Sequence, residues 1–133
     1  GGGGALFKEK IVAAAAKQFV VMVDHTKLVP GLGGSFPLPI EVVPFGWGST
    51  ARNIEQASGG QAVLRERTGT VFQTEAGHVI LDLHMPKIDD PATLEIELNQ
   101  IPGIVETGLF IGRTGILIVG HAQGVDVTHA AKP

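Results

Sequence analysis

The chain has 133 residues, enough for one ordinary domain or two small lobes, and its 44% hydrophobic and 17% charged residues are those of a folded chain. A net charge of −3 offers no basic stripe to a nucleic-acid backbone, and the apolar runs Phe19 to Val23 and Ile116 to Val119 are far too short to span a bilayer. With no cysteine, disulfide frameworks, thiol nucleophiles and Cys-ligated zinc all fall away, which is compatible with a cytosolic protein.

The start reads "GGGGALFKEKIVAAAAKQFVVMVD". It has no basic segment ahead of an apolar one, so no signal peptide is read, and it lacks an initiating methionine, as expected of a chain whose true beginning has been cut away. Ala5 to Ala16 is built from strong helix formers, and the apolar, β-branched stretch Phe19 to Val23, ending at Asp24, reads as a buried strand. A nearly continuous apolar strand expects cover on both faces and further strands beside it.

"VPGLGGSFPLPIE" is rich in Gly and Pro and reads as a linker. Beyond it the pattern predicts a strand over Ile40 to Phe45, a helix over Thr50 to Ser58 closed by Gly59 and Gly60, and strands over Ala62 to Arg67 and His78 to Met85. Asp90 then suits an N-cap and Pro91 the first helical position, with Leu94, Leu98 and Ile101 on one face; Gly103 ends this helix, and Ile104 to Ile111 is a strand. The order βαββαβ is the ferredoxin-like split. After Gly112 comes the short apolar strand "ILIVG" and a tail to Pro133; its simplest home is the first α/β layer, so that the chain leaves that layer, builds an insert and returns. Trp47 in "PFGWGST" is expected to pack between linker and insert.

Candidate chemistry begins with Gly1 to Gly4. Glycines ahead of a helix either let a ligand approach unpaired N–H groups, where the helix dipole favours an anion, or form a flexible linker. The run is neither a Walker A loop, since no Gly-Lys-[Ser/Thr] follows, nor a dinucleotide fingerprint, since no strand precedes it. Glu9 has Ala5, Leu6, Val12 and Ala13 as helical neighbours. On such an apolar stripe a carboxylate is desolvated and its pKa rises toward that of a general base; the alternative is that Glu9 points to solvent beside Lys8 and Lys10. Asp24, Thr26 and Lys27 lie just beyond the C-terminal end of a strand, where open α/β sheets gather ligand-binding groups, so Lys27 is a candidate for a phosphate or carboxylate, against an ordinary exposed lysine. Asp82 and His84 are the only local pair suggestive of a metal, and nothing supplies a third ligand at recognisable spacing. No Gly-x-Ser-x-Gly elbow is present, which disfavours a serine hydrolase.

The segments "GGGGALFKEKIV", "VDHTKLV", "FPLPIEVVPFGW" and "VILDLHMPKIDDPATLEIELNQIPGIVETGLFIG", in this order and spacing, resemble the type A family of ribose-5-phosphate isomerases over essentially the whole chain. The resemblance implies an α/β fold, a partial Rossmann-like lobe with an inserted ferredoxin-like lobe: residues 1–35 and the return strand and tail, 112–133, in the first, residues 36–111 in the second. It implies interconversion of D-ribose 5-phosphate and D-ribulose 5-phosphate through an enediolate in the non-oxidative pentose phosphate pathway, with Glu9 as the catalytic base and Gly1, Gly2, Gly3 and Lys27 in the substrate site. It calls for no cofactor and no metal, a sugar phosphate as the only small-molecule partner, no nucleic acid or membrane, a cytoplasmic location and a homo-oligomer, commonly a dimer. Thr26 stands where the family usually has serine and keeps the hydroxyl. The family's lysine directly before the glycines, its Asp-Gly-Ala-Asp segment and its Gly-Thr-Gly-Ser-Thr phosphate loop would precede Gly1, so the chain alone is expected to be a poor isomerase. The rival reading is a non-catalytic ferredoxin-like binding or oligomerisation module; a glycine loop followed at this distance by Glu9 is the feature such a module has no reason to carry.

Overall fold

The computed structural model describes residues 2–130 of the chain, a mixture of three α-helices and nine strands among those residues. They group into two compact units, residues 2–9 with Gly31–Leu109, and Lys10–Pro30 with residues 110–130. The division runs through the first helix, α1 (Leu6–Ala15), so the glycine loop and first turn of that helix group with the larger unit, apart from Lys10–Pro30.

In the larger unit, β2 (Leu38–Val42), α2 (Trp47–Ser58), β3 (Gln61–Leu64), β6 (Val79–His84), α3 (Pro91–Asn99) and β7 (Ile104–Thr107) supply the six elements of the βαββαβ pattern. The strands form one antiparallel sheet in the order β3-β6-β2-β7. Cross-strand partners share a face, so Leu38, Ile40 and Val42 of β2 stand with Leu83, Leu81 and Val79 of β6, all buried. Helix α2 packs on β3 and α3 on β7, adding the buried Ile54, Leu94 and Leu98 to the core. Alternation then puts Glu41, Ile80 and Asp82 together on the opposite face.

Several expected bounds shift. The first strand of the insert ends at Val42, short of Phe45, and Gly46 opens α2 early, in the left-handed conformation (φ 69°), which places Trp47 at the first helical position, 39% exposed. The stretch read as a strand to Arg67 breaks after Leu64; Glu66–Arg67 (β4) pairs instead with Thr70–Val71 (β5) in a small hairpin. Strand β7 stops at Thr107 rather than Ile111. The glycine-rich linker is tied down: Gly34 N donates to Met85 O and Ile88 N to Leu32 O.

In the smaller unit, β1 (Val20–Asp24) runs parallel to β8 (Ile116–His121), so the chain does return to the layer it left. The residues after it are not a plain tail: Gly124–His129 (β9) folds back antiparallel on β8, giving the order β1-β8-β9. Strand β1 is not covered on both faces among the described residues, and Met22 is 75% exposed. No helix of the described residues is long and apolar enough to cross a membrane.

Candidate active site

Helix α1 follows the glycine loop directly, and its first turn closes through Glu9 N donating to Ala5 O. The two ends of the loop are glycines for different reasons. At Gly4 the backbone is left-handed (φ 74°), and a Cβ there would stand 2.4 Å from Phe72 Cε1 and 3.2 Å from Ile80 Cδ1, so packing forbids a side chain. At Gly2 and Gly3 a Cβ would meet nothing within 4 Å. Packing therefore does not require glycine at those two positions. Gly1 lies outside the described residues.

A pocket of about 220 Å³ opens beside this loop, lined by Gly3, Gly4, Phe7, Glu41, Phe72 and Thr74 among others. Among its lining residues Glu41 is 1% exposed: Thr74 Oγ1 donates to its Oε1, and His78 Nδ1 lies at hydrogen-bond distance from the same oxygen, each over 2.9 Å. His78 in turn lies with its ring centroid 6.2 Å from that of Phe7 on α1. At the rim Lys8 pairs with Glu75, whose carboxyl is held below its ordinary range chiefly by that hydrogen bond.

Glu9 is exposed, so of the two readings open for it the one that points it to solvent holds, and it is not desolvated by an apolar stripe. The line that α1 buries is Leu6, Lys10 and Ala13, at i, i+4 and i+7, and Glu9 falls beside that line. Glu9 instead sits one turn from the helix N-terminus, where the macrodipole favours a negative charge. It does not line the pocket behind the loop.

In the smaller unit, Asp24 caps a single 3-10 turn, His25–Lys27. Its Oδ1 accepts from Thr26 N at 2.9 Å and from Thr26 Oγ1, and the hydroxyl, then the amide, hold its carboxyl below the ordinary range. Asp24 is thus spent on shaping the turn that presents the exposed Lys27 ammonium at the end of β1, beside an open depression lined by Asp24, Gly120 and Val125. Asp82 is engaged by Arg65, so the Asp82 and His84 pair does not face outward as two open ligands. Among the described residues no group of three His, Asp or Glu side chains is placed to hold a metal.

The sequence model of ribose 5-phosphate isomerase A (phosphoriboisomerase A) matches residues 1–124, taking in the loop, Glu9, the Lys27 turn and the whole βαββαβ insert. The chain belongs to that family. Ribose-5-phosphate isomerase A of Gloeobacter violaceus is 48% identical over 132 residues, covering 98% of this chain and 57% of the relative. The ribose 5-phosphate isomerase A structure from Methanocaldococcus jannaschii superimposes with a TM-score of 0.90 at 41% identity, over 98% of this chain and 57% of that one. A D-ribose-5-phosphate isomerase solved in complex with phospho-erythronic acid gives a TM-score of 0.89 at 39% identity, over 96% of this chain and 56% of that one. The chain thus spans little more than half the length of these relatives.

Within this family member, the sequence singled out the loop, Glu9 and Lys27 but not the groups around the pocket beside the loop. Arg65, Arg67 and Phe72 on or next to the β4–β5 hairpin, and the Glu41, Thr74 and His78 cluster, carry no local motif. Only the alternation of β2 and β6, which puts a glutamate and an aspartate on one sheet face, hinted at buried charge needing partners.

Proposed function

We propose that a protein of full family length containing this chain interconverts D-ribose 5-phosphate and D-ribulose 5-phosphate, and that this chain contributes the base and part of the substrate site. The observation that carries the reading is family membership over residues 1–124, including a glycine loop whose bare positions packing does not require and a carboxylate one turn into the helix behind it. The sugar phosphate as ligand is supported by the similar isomerase captured with phospho-erythronic acid, a four-carbon acid phosphate. The chain's architecture supports describing the larger unit as ferredoxin-like, its own strands running second-third-first-fourth across the sheet, and the parallel β1–β8 pair as part of a Rossmann-like lobe.

In this mechanism the Glu9 carboxylate removes the proton on C2 of the open-chain aldose. Electrons of the C2–H bond form the C1–C2 double bond, and the carbonyl π pair moves to O1, giving an enediolate. The proton held on Glu9 is then delivered to C1, the hydroxyl proton passes from O2 to O1, and C2 becomes the carbonyl carbon, so no atom or electron is gained overall. A carboxylate over both carbons serves both transfers. N–H groups of Gly2 and Gly3 act as donors to the charge developing on the sugar oxygens, and Lys27 adds a positive charge for the phosphate or hydroxyls. Gly1 belongs to the same loop in this reading.

A non-catalytic binding module is disfavoured by the company the chain keeps, since the family and the relatives above are isomerases by name. The test grafts residues 1–133 in place of the matching 57% of the Gloeobacter violaceus relative and assays ribulose 5-phosphate formation beside the isolated chain. The graft should turn over and the isolated chain should fall more than about tenfold below it, a difference above 1.4 kcal/mol in barrier. An inactive, folded graft would remove the reading.

A further inference from the structure

Glycine loops have no side chains with which to fix themselves, so the direction in which their N–H groups point must be set from outside. In this chain, among the described residues, the Gly2 carbonyl oxygen is gripped from outside, accepting from Arg65 Nη1 at 3.4 Å and from Arg67 Nη2. Because a trans peptide is planar with its C=O and the following N–H antiparallel, fixing the Gly2 oxygen also fixes the Gly3 N–H, which must point away from the two arginines.

Each arginine is itself held. Arg65 donates through Nε to Asp82 Oδ2 at 2.8 Å and through Nη2 to Asp82 Oδ1 at 2.6 Å, a fork-to-fork pair anchored on the central strand β6, with side chains only 13% and 17% exposed. Arg67 lies with its guanidinium carbon 4.3 Å from the centroid of the Phe72 ring. That same ring occupies the space a Gly4 side chain would need. Gly2 is therefore clamped by the arginines and Gly4 by Phe72 and Ile80, while Gly3 between them is exposed, with open space where a Cβ would point.

We propose that Arg65, Arg67 and Phe72 form a clamp on the glycine loop whose task in the isomerase reaction is to aim the Gly3 N–H at the enediolate. They are positioning residues, acting through the loop backbone. The inference rests on the isomerase reading above and extends it to residues outside the substrate site. A donor aimed where charge develops in the transition state acts on kcat more than on KM, so loosening the clamp lowers kcat selectively.

Two measurements test it. In the 133-residue chain, ¹⁵N relaxation should give Gly3 an order parameter near that of rigid backbone, about 0.85, falling below about 0.6 in Arg67→Ala with β2 and β6 unchanged. In the graft, Arg67→Ala should lower kcat about tenfold with KM and Tm little changed, since a misaimed donor forfeits part of the 10²–10³ that such a group commonly supplies. Arg67→Lys, which keeps a donor for the Gly2 oxygen but not the planar stack on Phe72, should fall between parent and alanine variant. An unchanged Gly3 order parameter in Arg67→Ala overturns the clamp whatever the activity. A mobile Gly3 with kcat and KM both unchanged overturns its positioning role. A parent graft without isomerase activity overturns the activity reading, and the positioning role with it, while the relaxation result still decides the clamp.

Discussion

Replacing Gly4 by alanine should be costly in a way that can be divided into two parts. The first is conformational: at φ 74° an L-residue stands in the left-handed region, which costs roughly 1–2 kcal/mol. The second is steric. The new methyl would lie 2.4 and 2.6 Å from two Phe72 ring carbons and 3.2 Å from Ile80 Cδ1, against about 3.5–4.0 Å for carbon atoms at rest. Ile80 is fully buried and has nowhere to go, whereas Phe72 can yield only by leaving its place under Arg67, so an overpacking cost of about 1–3 kcal/mol is expected. Together Gly4→Ala should destabilise by about 2–5 kcal/mol. Urea denaturation of Gly4→Ala, Phe72→Ala and the double variant, read as a double-mutant cycle, separates the two parts. The double variant should recover the steric part, a coupling of at least about 1 kcal/mol, while the conformational part remains. A loss below about 0.5 kcal/mol in Gly4→Ala, or an equal loss with and without the Phe72 ring, would refute the packing argument.

Three further outcomes follow from the same geometry. Lys27→Ala in the graft should raise KM for ribose 5-phosphate with a smaller change in kcat, since an exposed ammonium at a strand end binds charge without carrying the proton; an unchanged KM removes Lys27 from the site. Graft stripped of metal by chelator should stay within about twofold of untreated protein, because donors and lysine supply the stabilisation; recovery only on adding a divalent ion would contradict this. Asp90 caps α3 through Thr93 N at 3.0 Å and Thr93 Oγ1 at 2.6 Å, and the Thr93 hydroxyl first, then its amide, keep the carboxyl below the ordinary range. A carboxyl depressed in the folded state contributes stability above its unfolded pKa and loses it as pH falls through the folded value, so Asp90→Ala should be less stable than parent at pH 7 and the gap should close in acid; a gap that does not change with pH would contradict the charged cap.

The start of helix α3 was legible because its signals are local: Asp90, Pro91 and the Leu94 and Leu98 spacing act within one segment, and the structure has the cap, the first-turn proline and both leucines buried, although the helix ends at Asn99, before Ile101 and Gly103. The order of the insert's main elements along the chain was legible for a related reason, since each apolar run and each helix carries its own local signal. The hairpin β4–β5 was not, because its two-residue turn uses Thr68 at φ 51° and Gly69 at φ 76° where Asn-Gly or Asp-Gly would have announced it. Strand β9 was passed over as a tail although Val125 and Val127 alternate with polar residues; both are exposed, so no burial pattern reinforced the alternation. For Glu9 the neighbours at i±3 and i±4 were apolar, yet the buried line ran through Lys10, whose ammonium lies 5.2 Å from the Phe110 ring centroid, a partner distant in sequence. The grip on the glycine loop was illegible for the same reason: Gly2 and Arg67 are 65 residues apart.

The central claim is that Glu9 moves the proton, and the most direct measurement is isomerisation by Glu9→Gln in the graft under conditions where the chemical step is resolved. Glutamine keeps the shape and the exposed position on α1 but cannot accept the C2 proton, and removal of a general base typically costs about 10²–10⁴ in rate. The account predicts a kcat lower by at least about 10² with the fold and Tm intact. A Glu9→Gln graft that retains kcat within about twofold of the parent would contradict it.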